Sequence, residues 1–335
     1  MVRGKIHLKD IADYRKDFYV ELKKGFLQNV LKISSKSDKP HRNKEFCKKL
    51  EVPFNEKIKA SPTIIAWIRF NRAIPMSKII LIKKHSKISW KHIENNIISL
   101  RAGFRGGKTS FRFPIKIGKK MGSVVGHILG DGSIDKKYKQ VFYSNSNKEL
   151  LKEFSDDMEA IFGIKPRIWM QRTSNFEGET RWDKRINHIE ELKKDRSCGL
   201  FYPSICGYLL NHIFNNFAIG LNKNIPDEIV NSPKDFKIGL LRAFYDDEGN
   251  AKKNGLRLFQ DRKNILKDMR SFLTGLGISP GEIKTYIKRD KDRYYFDIYR
   301  KSNLIKFRDI IGFTSSRKMD KLKEACIIKR PNMIK

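Results

Sequence analysis

The strongest constraint on this chain is a short pattern that occurs twice. The stretch Met121-Gly122-Ser123-Val124-Val125-Gly126-His127-Ile128-Leu129-Gly130-Asp131-Gly132 has a counterpart in Gly239-Leu240-Leu241-Arg242-Ala243-Phe244-Tyr245-Asp246-Asp247-Glu248-Gly249. Small residues return every fourth position, Gly122, Gly126 and Gly130 in the first copy, Gly239 and Ala243 in the second. Helical spacing puts them on one face. A helix smooth on one side can bring its backbone against another smooth helix, so the two copies are expected to pack on each other. Each copy closes on an acid and a glycine, the usual helix stop. Two such helices side by side would present Asp131 and Glu248 together.

The repeat extends beyond the motifs. The first copy is followed by a strand at 138–145, a helix from 147 to about 164, strands at 167–172 and 197–202 and a helix at 204–217. The second is followed by a strand at 256–260, a helix from 263 to about 278, strands at 282–288 and 294–299 and a helix at 302–311. Halves spanning 116–225 and 233–325 match element for element. The order helix-strand-strand-helix-strand-strand-helix, twice, predicts an α+β fold with pseudo-twofold symmetry, αββαββα repeated, over residues 113–335.

In front of it, residues 1 to about 38 read as one amphipathic helix carrying Tyr14, Phe18, Leu22, Phe26 and Val30 near one face. A helix at 44–50 follows, then one opening at Ser61-Pro62, a good cap and a good first residue. A third starts after Asn71-Arg72-Ala73-Ile74-Pro75. This order resembles the helix-turn-helix of repressor-like DNA-binding domains. Residues 1–112 are therefore expected to form an α-helical, helix-turn-helix-like domain with its core at 40–100, in which Thr63, Arg69 and Arg72 touch DNA.

Charge narrows the partners. Lys+Arg 71 against Asp+Glu 37 gives a net charge of +34, spread along the chain, and such a surplus calls for a polyanion. If about ten phosphates are contacted, duplex affinity falls with salt at a log-log slope of about −9. A filter-binding titration across salt concentrations checks this, and a slope shallower than about −3 would argue for a protein partner instead. The longest apolar run, Ile79 to Ile82, is far too short to span a bilayer, and the expected location is the cytoplasm. Cys47, Cys198, Cys206 and Cys326 form no C-x-x-C pair, so a reducing compartment and no structural metal are the default expectation.

The paired acids suggest a chemistry. The last carbonyls of a helix lack internal partners and carry the negative end of its dipole. Two helix ends plus two carboxylates make an oxygen-rich, negative spot suited to a hard divalent cation, Mg²⁺ (or Mn²⁺), with Asp131 and Glu248 as ligands and the backbone carbonyls of Gly130 and Asp247 as further ones. Metal held there can activate water and neutralise the leaving oxygen of a phosphodiester. Asn145 and Gln260 occupy matching strand ends and are candidates to orient bound water, while Lys252 and Lys253 are candidates to stabilise the phosphate. Strand faces with Arg167, Trp169 and Gln171, or with Lys284, Tyr286 and Lys288, suit a sheet laid in the major groove.

The motif letters map without gaps onto Val124–Gly132 and Leu241–Gly249, and Phe162-Gly163-Ile164-Lys165-Pro166, Leu276-Gly277-Ile278 and the run from Ile311 to Lys318 add further traits. On these residues the chain resembles a two-motif LAGLIDADG (DOD-type) homing endonuclease of the free-standing archaeal kind. The resemblance implies the LAGLIDADG fold and a monomer that makes a metal-dependent double-strand break at a long, near-asymmetric DNA site, with one acid, Asp131 or Glu248, per strand. His127, Leu129 and Asp247 depart from the usual letters. Two other readings share the scaffold: a non-cleaving transcription regulator that binds DNA, and an intron RNA maturase with intron RNA as partner. An intein is not expected, since Met1 and the ending Asn332-Met333-Ile334-Lys335 lack its nucleophiles and its His-Asn pair.

Overall fold

The structure is a computed structural model, and it describes all residues except 1–3, 13, 15–16, 105, 111, 172–181, 194–195, 220–221, 289–290 and 328–335. The two copies of the motif form the helices Lys119–Leu129 and Lys234–Glu248. They meet through their small residues. A methyl group added at Gly122 would overlap the Phe236 carbonyl, one at Gly126 the Leu240 carbonyl, and one at Gly239 the Lys119 carbonyl. Backbone thus lies on backbone, as the spacing predicts. The first helix is buried at every position from Met121 to Leu129, so it forms the axis of the molecule rather than a surface element.

The glycines that follow the acids have a different reason from the expected one. Gly132 and Gly249 open the strands Gly132–Ile134 and Gly249–Lys252, and neither has a positive φ. What they lack is room. A Cβ on Gly132 would lie 2.7 Å from the Ile128 Cα and 2.9 Å from the Phe142 carbonyl oxygen.

Each motif helix feeds a sheet. In the first half the strands lie in the spatial order Gly132–Ile134, Val141–Asn145, Cys198–Tyr202, Arg167–Gln171; in the second the order is Gly249–Lys252, Gly255–Gln260, Lys291–Ile298, Lys284–Lys288. These orders are the same, so the repeat in sequence is a repeat in topology. The first half carries extra edge strands, Trp182–Ile186 on one side and the pair Ala218–Ile219 and Asn222–Lys223 on the other. Side chains alternate, with Val141 and Tyr143 buried and Phe142 and Ser144 on the other face. The helices Lys148–Phe162 and Lys263–Gly275 cover the inner faces with Leu151, Phe154 and Met158, and with Leu266, Met269 and Leu273.

The front of the chain differs from the expected single helix. It forms a strand Lys5–Ile6, a short helix Leu8–Ala12, a strand Phe18–Leu22 and a helix Lys24–Ser35. Phe18 and Leu22 are four apart, a spacing that satisfies a helical face and an alternating strand alike. Val20 breaks the tie, since Phe18, Val20 and Leu22 are all buried, at period two. This strand is the centre of a three-stranded sheet between Ile74–Pro75 and Ile97–Ala102, so residues 1–112 are not purely helical. The three expected helices are present as Lys44–Lys49, Pro62–Phe70 and Met76–Ser86, with Ser61 capping the second by accepting from the Ile64 amide at 3.5 Å.

This front region is built into the rest rather than tethered to it. Lys5–Ile6 pairs antiparallel with Ile115–Lys116. Tyr14 stacks on His212 at 3.9 Å, and the His212 Nε2 lies 3.1 Å from the Asp10 carbonyl oxygen. Phe18 meets Tyr208 edge-on, and one apolar core runs through both parts. Among the described residues no helix is long and apolar enough to cross a membrane.

Candidate catalytic centre

Asp131 is the second residue past the end of the first motif helix, and Glu248 is the last residue of the second. Asp131 is open to solvent and Glu248 half-buried. The protein packed around Asp131 and the charge of Asp247 push its carboxyl up to about 6. Burial and the charges of Asp131 and Asp247 push Glu248 up to about 7. Glu248 thus senses Asp131, and both acids sense Asp247.

Two lysines that sequence reasoning did not single out close the ring. The Lys223 Nζ donates to the Gly130 carbonyl, at the end of the first motif helix. Lys318 does the same for the second, reaching the carbonyl oxygens of Tyr245 at 3.1 Å, Asp246 at 2.5 Å and Gly249 at 2.6 Å. Burial pulls both ammonium groups below the usual lysine range, while Glu248 and Asp131 on Lys223, and Asp246 and Asp247 on Lys318, pull the other way. Each lysine neutralises a helix end. Lys318 is brought there because Asp246 fixes the start of the helix Ser316–Ile327, accepting from the Thr314 amide at 2.8 Å and the Ser315 amide at 3.1 Å. The only sequence signal was that Lys318 closes the run beginning at Ile311.

The other expected residues divide. Asn145 is in place, its Nδ2 donating to the Asp131 Oδ2 at 3.1 Å. Gln260 holds the matching position in the second sheet, but its Oε1 accepts from the neighbouring Asp261 amide at 2.7 Å. Lys252 and Lys253 are exposed at the turn of the hairpin that follows Glu248. The Gly130 carbonyl is already engaged by Lys223. Asp247 turns its carboxylate inward, with no exposure.

That inward turn is explained by His127. Its Nδ1 is 3.0 Å from the Asp247 Oδ2, and both side chains are fully buried. Its Nε2 lies 3.6 Å from the Glu153 Oε2, and Glu153 also pairs with Arg242. Burial alone would lower the imidazole, but Asp247 and Glu153 outweigh it and raise His127 to about 10. Burial likewise opposes the charge on Glu153, yet His127 and Arg242 hold it down at about 2. The departures at His127 and Asp247 are thus one feature, a buried ion pair where small or apolar side chains were expected. The Asp247 Oδ1 accepts from the Tyr143 hydroxyl at 2.8 Å.

Away from the centre, the outer sheet faces carry cations and aromatic rings. Arg167 and Lys284 are exposed, Trp169 and Tyr286 half-buried; Lys288 lies in its strand, but its side chain is outside the described residues. Arg257 stacks over Tyr295 at 4.1 Å and makes a two-pronged pair with Asp297 at 2.6 and 2.9 Å. At the front, Arg69 and Arg72 are exposed and Thr63 half-buried. Burial together with Arg42, Arg69 and Lys39 pulls His41 down, a sign of concentrated positive charge there.

The chain is similar to several known proteins. The small subunit of replication factor C from Methanocaldococcus jannaschii is 25% identical over 317 residues, which cover 92% of this chain and 15% of that protein. The one from Thermococcus kodakarensis is 23% identical over 290 residues, 85% of this chain and 30% of that protein. The chain thus spans less than a third of the length of these curated relatives. Among solved structures, I-DmoI in complex with DNA and Mn has a TM-score of 0.41 and 18% identity, covering 60% of this chain and 99% of that one. The homing endonuclease I-WcaI bound to its DNA recognition sequence has a TM-score of 0.38 and 13% identity, covering 64% and 88%. Residues 120–194 and 235–312 match the family described as LAGLIDADG-like domain. These two segments cover the two motif helices and most of the strands that follow them, one segment for each half of the repeat.

Proposed function

We propose that this chain is a site-specific DNA endonuclease of the homing type, breaking both strands by metal-dependent phosphodiester hydrolysis. The observation that carries this reading is the pair Asp131 and Glu248 at adjoining helix ends, Glu248 raised by burial and the charge of Asp131 and Asp131 raised by burial and the charge of Asp247, in a protein of net charge +34. Two mutually repelling carboxylates beside helix-end carbonyls are an all-oxygen donor set, which fits Mg²⁺ or Mn²⁺. Asp131, Glu248 and the carbonyl of Asp247 would hold it, the Gly130 carbonyl being taken by Lys223. Such a cation supplies an activated water and charge neutralisation at the leaving oxygen. The chain's own residues do the rest. Asn145 orients the Asp131 carboxylate. Lys223 and Lys318, poised at the helix ends, offset the charge that builds on the phosphate. Arg167, Lys284 and Lys288 on the sheets, and Thr63, Arg69 and Arg72 at the front, are assigned to the duplex. Lys252 and Lys253 lie at a hairpin turn, where they serve the DNA backbone rather than the reacting phosphate.

The test is cleavage of a plasmid library with a randomised insert in the presence of Mg²⁺, with the cut sites sequenced. Recovery of one long shared site supports the reading; a library left intact at every metal concentration overturns it.

Metal affinity carries a second signature. Glu248 at about 7 and Asp131 at about 6 must both be charged to bind a cation. From about pH 8 to about pH 5.5 the charged fraction falls about thirtyfold for Glu248 and about fourfold for Asp131. Mn²⁺ affinity measured by calorimetry should therefore fall on the order of 100-fold over that range. An affinity that does not change with pH would show that these acids are not the ligands.

A further inference from the structure

The contacts of the two acids are unequal. On the Asp131 side an unbroken chain of polar contacts runs into the core: the Asp131 Oδ2 accepts from the Asn145 Nδ2 at 3.1 Å, that nitrogen lies 3.2 Å from the Tyr143 hydroxyl and, more weakly, 3.4 Å from the Asp247 Oδ1, the hydroxyl donates to the Asp247 Oδ1 at 2.8 Å, and the Asp247 Oδ2 meets the His127 Nδ1 at 3.0 Å. The inner end is rigid. His127, Tyr143 and the Asp247 carboxylate are all out of solvent, and His127 and Tyr143 lie between Phe154 and each other with ring centroids 4.6 to 5.8 Å apart. Glu153 with Arg242 holds the far side of the imidazole. On the Glu248 side there is no such chain. Gln260 turns back on the Asp261 amide, and among the described residues the Glu248 carboxylate accepts no hydrogen bond.

We propose that His127, Asp247 and Tyr143 are positioning residues for Asp131 alone, so that the two halves of the centre are held with unequal precision and the two strands of one site are cut at unequal rates. This rests on the endonuclease reading. A carboxylate anchored through Asn145 to buried groups keeps its oxygens where a cation and a phosphate need them, and losing such outer anchoring costs about 10- to 100-fold. Glu248, without an anchor, must be ordered by what binds.

Tyr143→Phe is the direct test, because it removes one hydroxyl and leaves the buried His127 and Asp247 pair intact. With a duplex labelled on both strands and carrying the recovered site, the variant should slow the cut of one strand at least tenfold and leave the other within about twofold. His127→Leu combined with Asp247→Ala, which removes the charges together and leaves no unpaired ion, should slow the same strand. A purely structural role would slow both strands alike, and that result, or no change in either, overturns the proposal. A second readout needs neither DNA nor metal. In melting experiments Tyr143→Phe and Asn145→Ala should be non-additive, whereas Tyr143→Phe and Gln260→Ala should add. Additivity in both pairs refutes the chain of contacts. If the wild type cuts no site at all, the endonuclease reading fails, and the melting cycle still decides whether Asn145 is anchored through Tyr143.

Discussion

Asp131→Asn and Glu248→Gln should each abolish double-strand cleavage, by at least about 1,000-fold, while making the protein more stable. The first effect follows from the donor set. Asp131 and Glu248 are the two carboxylates of the proposed cation site, and an amide binds a hard cation far less well than a carboxylate. Phosphate contacts spread over the sheets and the front dominate affinity, so duplex binding should stay within a few fold. The second effect follows from the raised carboxyls, and its sign can be worked out. A carboxyl whose folded pKa lies above its unfolded value favours the protonated fold, so its contribution to stability is most favourable below about pH 4 and is lost as pH rises through the folded value. For Glu248 that loss ends near pH 7 and for Asp131 near pH 6. At pH 8 a neutral amide avoids it. Raising Glu248 from 4.5 to about 7 corresponds to at most about 3 kcal/mol, and solvent screening at this open floor leaves about 1 to 2. Cleavage assays at saturating Mg²⁺ together with thermal melts at pH 8 check both halves. A variant that cuts at the wild-type rate sinks the site assignment, and one that melts lower than wild type sinks the electrostatic account.

The centre was legible in the sequence to the extent that local spacing fixes geometry. Glycine every fourth residue and an acid after the last turn place Asp131 and Glu248 without knowledge of anything else in the chain. Tertiary placement is a different matter. Lys223 and Lys318 come to the helix ends from an edge strand and from the helix Ser316–Ile327, and apart from Lys318 closing the run from Ile311 nothing near them in sequence marks them out among 71 basic residues. The repeat also carried one inference too far. Asn145 and Gln260 are equivalent in topology, but a longer side chain beside Asp261 bonds to its own neighbour instead of to the acid. His127 and Asp247 read in sequence as two isolated departures, because a contact between residues 120 apart is visible only once both helices are packed. At the front, a four-residue spacing was compatible with two periods, and Val20 alone separated strand from helix.

The second large effect concerns the helix pair that makes the centre possible. Gly122→Val or Gly239→Val should prevent the domain from folding. Each adds a branched side chain where a single methyl already overlaps a backbone carbonyl of the opposite helix, Phe236 or Lys119. A flexible side chain could step aside, but a carbonyl in a helix moves only if the helix moves. Separating the axes enough to admit the new atoms would open the interface along its length, including the contact of Gly126 with Leu240 and Ala243. Overpacking ordinarily costs about 1 to 3 kcal/mol where neighbours can adjust. Here they are backbone, and a cost beyond about 5 kcal/mol is comparable with the whole stability of a domain. Gly275→Ala is the matched control. It sits at the end of the helix Lys263–Gly275 with nothing within 4 Å of an added Cβ, so it should be neutral or stabilising by up to about 1 kcal/mol. Circular dichroism melts of the three variants separate the cases. If Gly122→Val melts within about 2 °C of the wild type, the backbones are not in contact, and the two acids are not held together by the helices that carry them.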